Sequence, residues 1–595
     1  MKMGTRRNVL LASAVLLAAC AGQREAKQEQ AAVDEAKRAE HRAASPPEVT
    51  SRPATAAPAE EKLFREADAA IGQVAGNQAS AVSNPQQAMR VATQSSIAPA
   101  PCCMPNYQPQ TNTERYQHLD ENPVRLVHEH PVSTFSIDVD TGAYANVRRF
   151  LNDGQLPPQD AVRIEEMINY FDYEYAPPAT RDTPFRVATE LSPAPWNEEA
   201  LLLKVGIKGF DIAAKDRPPA NLVFLIDVSG SMQSPDKLPL LKNAFRLLTD
   251  QLTAHDRVSM VVYAGSSGVV LEPTAGDQKH KIREAIDRLE AGGSTNGAEG
   301  IQRAYQLAHQ AHMKGAINRV VLATDGDFNV GIVNFEDLVD LAERERTSGV
   351  ALTTLGFGSG NYNDQLLERL ADAGNGNYAY VDTLSEARKV LVSELSSTLF
   401  TIAKDVKIQI EFNPAEVLEY RLIGYENRML AREDFNNDKV DAGEIGAGHR
   451  VTALYEIVPA NRKGRIDPLR YGALADATSK AGPTKNGEIA ILRLRYKQPD
   501  ADESRLLEYP VLKSSVVASE KTSPDFRFAA SVAAFGQMLR GGKYTSDFDF
   551  EDVEALAKSA LSKDEEGYRR EFVSLVKLAQ SLSPSQPEQE QAMAR

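Results

Sequence analysis

Cysteine is scarce in this chain. Three occur in 595 residues, too few for a disulfide framework or a multi-cysteine zinc module. Tryptophan occurs once, at position 196, and with the aromatic residues of 170–175 reads as packing rather than as a ligand contact. Beyond the amino terminus, no apolar run reaches the ~18 residues a bilayer-spanning helix requires. Basic charge is in deficit: 67 Lys and Arg against 82 Asp and Glu leave a net charge of −15. That balance disfavours nucleic acid, because neutralising phosphates needs a cationic surplus. A nucleotide-cradling loop is missing too, since Gly541-Gly542-Lys543-Tyr544-Thr545 lacks the spacing of a Walker motif. The remaining composition, 42% hydrophobic and 25% charged, is that of a soluble protein with a substantial core. Its length predicts about three to five structural units at ~100–200 residues each.

The first residues carry an export address. Lys2, Arg6 and Arg7 precede an apolar stretch over residues 9–17 that ends in Leu17-Ala18-Ala19-Cys20. A basic start, a short apolar core and small residues before a cleavage point make a signal peptide over residues 1–19. The ending resembles a bacterial lipobox, which implies that Cys20 is lipidated and becomes the first residue of the mature, membrane-anchored protein. Ala21 rather than an acidic residue follows Cys20, so the resemblance implies the outer membrane of a Gram-negative cell, facing the periplasm or the surface. Thr5-Arg6-Arg7-Asn8-Val9-Leu10 also resembles a twin-arginine signal, which leaves the export route open. An envelope location lies beyond the supply of ATP, a second argument against nucleotide-driven work.

Residues 20–115 are expected to form a tether. Ala, Glu, Lys, Gln and Arg dominate its first part, and Pro, Ala, Gln and Asn the rest, a composition that cannot repay the entropy of ordering. Such a chain has an r.m.s. reach of roughly 50–60 Å. Cys102 and Cys103 lie within it; adjacent cysteines bond each other only with strain, so an intermolecular disulfide or two free thiols is expected. From residue 116 to 215, strand-like alternation and helical spacing predict an α+β module. Residues 220–403 then alternate buried-strand runs such as Leu222-Val223-Phe224-Leu225-Ile226 with helical stretches. That is the pattern of a doubly wound, Rossmann-like α/β domain with a largely parallel sheet. Residues 404–520 show short strands at 406–412, 417–422, 450–458, 488–496 and 511–517, and are expected to form a separate antiparallel β domain. Helical spacing marks residues 521–582 as a carboxy-terminal helical unit.

In an open α/β sheet, ligands gather at the carboxyl ends of the strands. There the first buried strand is followed by Asp227-Val228-Ser229-Gly230-Ser231, the helix at 297 is preceded by Gly292-Gly293-Ser294-Thr295-Asn296, and a later strand ends in Thr324-Asp325-Gly326-Asp327. Two carboxylates and three hydroxyls thus come to one edge. An all-oxygen set suits Mg²⁺ or Mn²⁺ rather than zinc. Because the hydroxyls are neutral, an ion held this way keeps its attraction for one further anionic oxygen, such as the Asp or Glu of a partner protein. The arrangement requires a vacant position; a basic side chain filling it would exclude the reading.

Asp227-x-Ser229-x-Ser231, Thr295 after a double glycine, and Asp325 in Thr-Asp-Gly resemble the metal-ion-dependent adhesion site of von Willebrand factor A domains. The resemblance implies that Ser229 and Ser231 bind the metal directly, that Thr295 joins them when ligand is bound, and that Asp227 and Asp325 contribute directly or through water. Further stretches are similar to a bacterial family of von Willebrand factor A lipoproteins. Phe135-Ser136-Ile137-Asp138-Val139-Asp140-Thr141, Tyr144-Ala145-Asn146-Val147-Arg148-Arg149-Phe150-Leu151 and Arg163-Ile164-Glu165-Glu166-Met167-Ile168-Asn169-Tyr170-Phe171 look like its amino-terminal module. Residues 441–449, Asp-Ala-Gly-Glu-Ile-Gly-Ala-Gly-His, look like its carboxy-terminal domain.

Other motifs carry less. Asp140-Thr141-Gly142 spells the triplet of aspartic proteases, but that chemistry needs two such carboxylates, so a turn is expected. His128-Glu129-His130 has no third His or Cys in reach, and reads as a solvated loop. Asp434-x-Asn436-x-Asp438 begins like a calcium loop, yet Lys439 stands where an EF-hand needs glycine and Ile445 where it needs Glu. No His or Lys flanks Asp227, Thr295 or Asp325 in sequence, which disfavours a metallohydrolase, with Asp327 as the one conceivable base. The expectation is a non-enzymatic, lipid-anchored binding protein that takes a partner's carboxylate on Mg²⁺. The alternative is a structural envelope protein whose metal staples loops together.

Overall fold

The structure is a computed structural model that describes residues 112–583 except 181, 294–296, 327–334, 395, 396, 398, 468–486 and 563. The expected signal peptide, Cys20, the expected tether to residue 111 with Cys102 and Cys103, and the ligand candidate Thr295 lie outside the described residues. Among the described residues, no helix is long and apolar enough to cross a membrane.

The central six-stranded sheet is built from β5 (Ala220–Asp227), β6 (Arg257–Tyr263), β7 (Ser267–Ala275), β8 (Ile317–Thr324), β9 (Ala351–Phe357) and β10 (Tyr378–Val381), in the order β10-β9-β8-β5-β6-β7. All neighbours are parallel except the edge pair β6/β7. Every residue of β5 is buried, as its unbroken apolar run implies for a strand covered on both faces. Leu222, Phe224 and Ile226 pack in one cluster with Leu241 and Phe245 of α3 (Leu238–Gln251) and Ile286 of α4 (Lys279–Asp287). Val223 and Leu225 face the other way, toward Ile301 and Ala304 of α5 (Gly297–Gln310), Leu338 of α6 (Phe335–Thr347) and Leu367 of α7 (Asp364–Ala373). The two-residue period of the strand delivers alternate side chains to opposite layers, which makes the domain doubly wound.

The flanking regions depart from the expected boundaries. Residues 116–215 and 404–520 are not separate units, because their strands share sheets. β2 (Val132–Ser136) pairs with β11 (Thr401–Phe412), setting Phe135 against Ile408. β4 (Asn197–Gly209), itself in a hairpin with β3 (Phe185–Ala194), pairs along its length with β14 (Arg450–Pro459). β1 (Arg125–Leu126) completes the same sheet through β12 (Val417–Ile423). The α/β domain is therefore an insertion between two halves of one β structure. Each half presents an open strand edge, and pairing those edges satisfies backbone groups that neither half can satisfy alone.

The last expected strand is also displaced. β16 occupies Ser504–Leu512, paired with β15 (Glu488–Lys497), and residues 513–515 form a 3-10 turn. Proline at position 510 and largely exposed side chains mask an edge strand of this kind in the sequence. The domain's last helix, α8 (Leu384–Arg388), runs into a π-helical turn at Lys389–Ser393, and β11 begins at Thr401.

The inserted domain is held by buried charge. Arg148 of α1 (Gly142–Asn152), 3% exposed, donates two hydrogen bonds to Asp382 at 2.6 and 2.7 Å and one to Glu386 of α8 at 2.7 Å. It also reaches the Tyr170 hydroxyl at 3.0 Å and Glu571 of the terminal helix Tyr568–Leu582 at 3.0 Å. Alongside, Gly142 lies against the Tyr378 ring, where a Cβ would fall 2.3 Å from Cε1. Replacing Arg148 by Ala strands Asp382 and Glu386 without their cation, and chemical denaturation should record a loss of about 3–5 kcal/mol.

Candidate functional site

Strand order reverses at β5: the chain runs outward through β6 and β7, then returns on the other side of β5 with β8. The carboxyl ends of β5 and β8 flank this switch point, where an open α/β sheet leaves a crevice. Asp227 is the last residue of β5, and Asp325 follows directly on β8; both are fully buried. Asp227 is anchored at both oxygens: Oδ1 accepts from the Ser229 amide at 2.8 Å, and Oδ2 from the Thr324 hydroxyl at 2.9 Å. The hydroxyls of Ser229 and Ser231 lie 3.0 Å apart. Four of the five sequence-derived ligand residues thus come to one place, with Ser231 also hydrogen-bonded to Asp325.

The loop that leads to Thr295 is docked against this group although Thr295 itself is not described. The Gly292 amide donates to the Val228 carbonyl at 2.8 Å, and the Gly230 amide to the Gly293 carbonyl at 3.1 Å. At Gly326, φ is +84° and an added Cβ would lie 2.3 Å from the Asn363 amide nitrogen. Only glycine fits that left-handed turn against a neighbouring backbone. Asp327 lies outside the described residues.

Burial pushes the Asp227 carboxyl up to about 6; hydrogen bonds from Ser229 and Thr324 oppose the rise, and the charge of Asp325 adds to it. Asp325 moves the other way. Burial alone would raise it, but the Lys237 ammonium and hydrogen bonds from Ser231, Lys237 and Asn361 hold it below the ordinary carboxylate value. No His or Lys flanks these carboxylates along the chain, yet Lys237 reaches one of them through the fold. It lies 88 residues before Asp325 and still places Nζ 2.9 Å from Oδ2. The Asn361 amide nitrogen donates to the same oxygen at 3.1 Å. Lys237 contacts the Asp325 side of the site. The Ser229–Ser231 hydroxyl pair and both Asp227 oxygens keep the partners already named.

The donor set fits a hard divalent cation: two buried carboxylates that repel one another and two adjacent hydroxyls, with no nitrogen or sulfur ligand. Among the described residues, no group of three or more His, Cys, Asp or Glu gathers as a metal ligand set, so an ion here draws on the hydroxyls.

Sequence reasoning missed Thr324, Lys237 and Asn361. Asn361 follows β9 at the same sheet edge, and extending the search to the residues after that strand would have found it. Thr324 sits in the quoted Thr-Asp-Gly string, where spacing alone assigns a side chain no partner. The remaining motifs have structural partners. Asp140 accepts from the Tyr378 amide and faces Arg428, Asn436 accepts from Arg495, and the Trp196 indole donates to Glu456.

This sheet, with carboxylates and hydroxyls gathered at its switch point, is a von Willebrand factor A domain, and the model described as "von Willebrand factor type A domain" matches residues 221–394. Models described as "von Willebrand factor" and "Uncharacterized protein YfbK, C-terminal" match residues 110–204 and 397–582. The chain is 50% identical to the YfbK protein of Escherichia coli (strain K12) over 79% of its own length and 82% of that protein's. It therefore belongs to the bacterial von Willebrand factor A-domain family that shares the YfbK carboxy-terminal region. Inter-alpha-trypsin inhibitor heavy chain H3 of Homo sapiens is 25% identical over 40% of this chain, which spans 28% of that protein. Among solved structures, the von Willebrand factor type A protein from Catenulispora acidiphila is 17% identical, with a TM-score of 0.37 over 67% of this chain and 91% of that one.

Because Thr324 supplies a buried hydroxyl to a carboxylate, Thr324→Val keeps the shape and removes a charge-assisted hydrogen bond. Urea unfolding in chelator should show a loss of about 1.5–3 kcal/mol.

Proposed function

We propose that the protein is a lipid-anchored envelope protein that binds a partner's Asp or Glu through Mg²⁺ at this site. The supporting observation is the meeting of Asp227, Ser229, Ser231 and Asp325 at the switch point. Ser229 and Ser231 would hold the ion directly, Thr295 would join them, and Asp227 and Asp325 would act directly or through water. When bound, the ion supplies a Lewis-acidic position for one anionic oxygen. Thr324 and the Ser229 amide orient Asp227 for that task, while Gly326 keeps the Asp325 loop close to Asn363. Mn²⁺ would suit the same oxygens.

A binding role is favoured over hydrolysis because the basic group nearest the carboxylates, Lys237, is already engaged by Asp325 and Asn361. It is favoured over a purely structural staple because backbone bonds at Gly230 and Gly292 and the Lys237–Asp325 pair already join the loops. A family of von Willebrand factor A-domain proteins, which often mediate protein–protein interaction, fits the same reading.

Magnesium should raise the melting temperature of the chelator-stripped wild type by mass action. Ser229→Ala should weaken Mg²⁺ binding by about 10–100-fold or more, read by titration calorimetry. Capture of a partner from solubilised envelope membranes should need Mg²⁺ and be lost with Asp227→Ala; capture undiminished by chelator would reject the mechanism. For the anchor, Cys20→Ser should move the protein from the membrane fraction to the soluble fraction, and retention in the membrane would overturn lipidation at that residue.

A further inference from the structure

Lys237 sits immediately before α3, where an ammonium opposes the positive end of the helix dipole. The helix therefore gains nothing from its charge there. What holds it is the opposite end of its side chain: Nζ donates to Asp325 Oδ2 at 2.9 Å and to Asn361 Oδ1 at 2.8 Å. The side chain is 7% exposed. Its methylenes cross Gly358, where φ is +76° and a Cβ would fall 2.3 Å from both Cγ and Cε. The Tyr380 hydroxyl donates to the Gly358 carbonyl at 2.7 Å and fixes that crossing. Gly358, Asn361 and Tyr380 thus build a channel for one lysine, ending on one of the two carboxylates of the site.

We propose that Lys237 is an internal counter-ion that competes with the divalent cation for Asp325. The inference rests on the Mg²⁺ reading above. Asp227 and Asp325 repel each other in a buried setting, and a folded protein without metal needs a positive charge beside them. Lys237 supplies it. A divalent ion that takes Asp325 must draw that carboxylate from the ammonium, and like-charge repulsion at a few ångströms adds to the cost. Lys237 therefore keeps the metal-free site folded and lowers its affinity for Mg²⁺, so that occupancy follows the surrounding cation concentration.

Lys237→Met keeps the stem in the Gly358 channel and removes the charge. In titration calorimetry of the chelator-stripped protein with MgCl₂, K237M should bind about tenfold more tightly than wild type, or better. In chelator its melting temperature should lie below that of wild type, with a larger rise on adding Mg²⁺. Equal or weaker binding by K237M would overturn the competition and leave Lys237 as a positioning residue. Absence of Mg²⁺ binding in both proteins would overturn the metal reading itself, and the competition with it. The wild type offers a test that needs no folded variant: acetylation of Lys237 by an amine-reactive ester, followed by mass spectrometry. Its rate should rise several-fold with Mg²⁺; a wild-type rate that Mg²⁺ leaves unchanged or lowers would overturn the displacement.

Discussion

Two carboxylates buried side by side at one sheet edge set the demand that their surroundings meet. Asp227 ends β5 and Asp325 follows the adjacent β8, both with no exposure to solvent, where desolvation penalises each carboxylate and proximity penalises the pair. The surrounding residues answer that penalty group by group. Thr324 and the Ser229 amide satisfy Asp227, whereas Asp325 receives Ser231, Asn361 and the Lys237 ammonium. The outcome is asymmetric: one carboxyl is raised to about 6 and the other is depressed. A site organised in this way stabilises positive charge beside Asp325, and the Lys237 ammonium supplies it.

The scaffold around the site follows a second constraint, the need to close open strand edges. Strands from before and after the inserted α/β domain pair with one another, as β2 does with β11 and β4 with β14. The insertion is thereby held at both ends by a shared β structure rather than by a flexible linker. Arg148 of α1 and Arg163, the residue before α2 (Ile164–Asn169), add buried ion pairs to Asp382, Glu386 and Asp364 of the inserted domain. Orientation of the domain relative to its frame is thus written into charge pairs that tolerate little displacement.

Much of this was legible in the residue order. The continuous apolar run of 222–226 marks a strand buried on both faces because no polar side chain interrupts it, and the α/β alternation after it follows from the two periods of strand and helix. The order Asp-x-Ser-x-Ser, then Thr-Asp-Gly, carries the site because each motif hangs on the end of a recognisable strand. Less legible were the exposed edge strand at 504–512, whose proline and polar face obscure its period, and the π-helical turn at 389–393, whose spacing resembles an α-helix.

Local sequence determined the elements, the switch-point loops and the family, since each depends on residues within a few positions of one another. Only tertiary structure decided that the outer strands form common sheets, because strand pairing across the inserted domain depends on complementary edges meeting in space. It likewise decided that Lys237 and Asn361, 88 and 36 residues from Asp325, share one carboxylate oxygen. A long side chain finds its partner by the path the fold leaves open, here the gap over Gly358, and no spacing along the chain encodes that path.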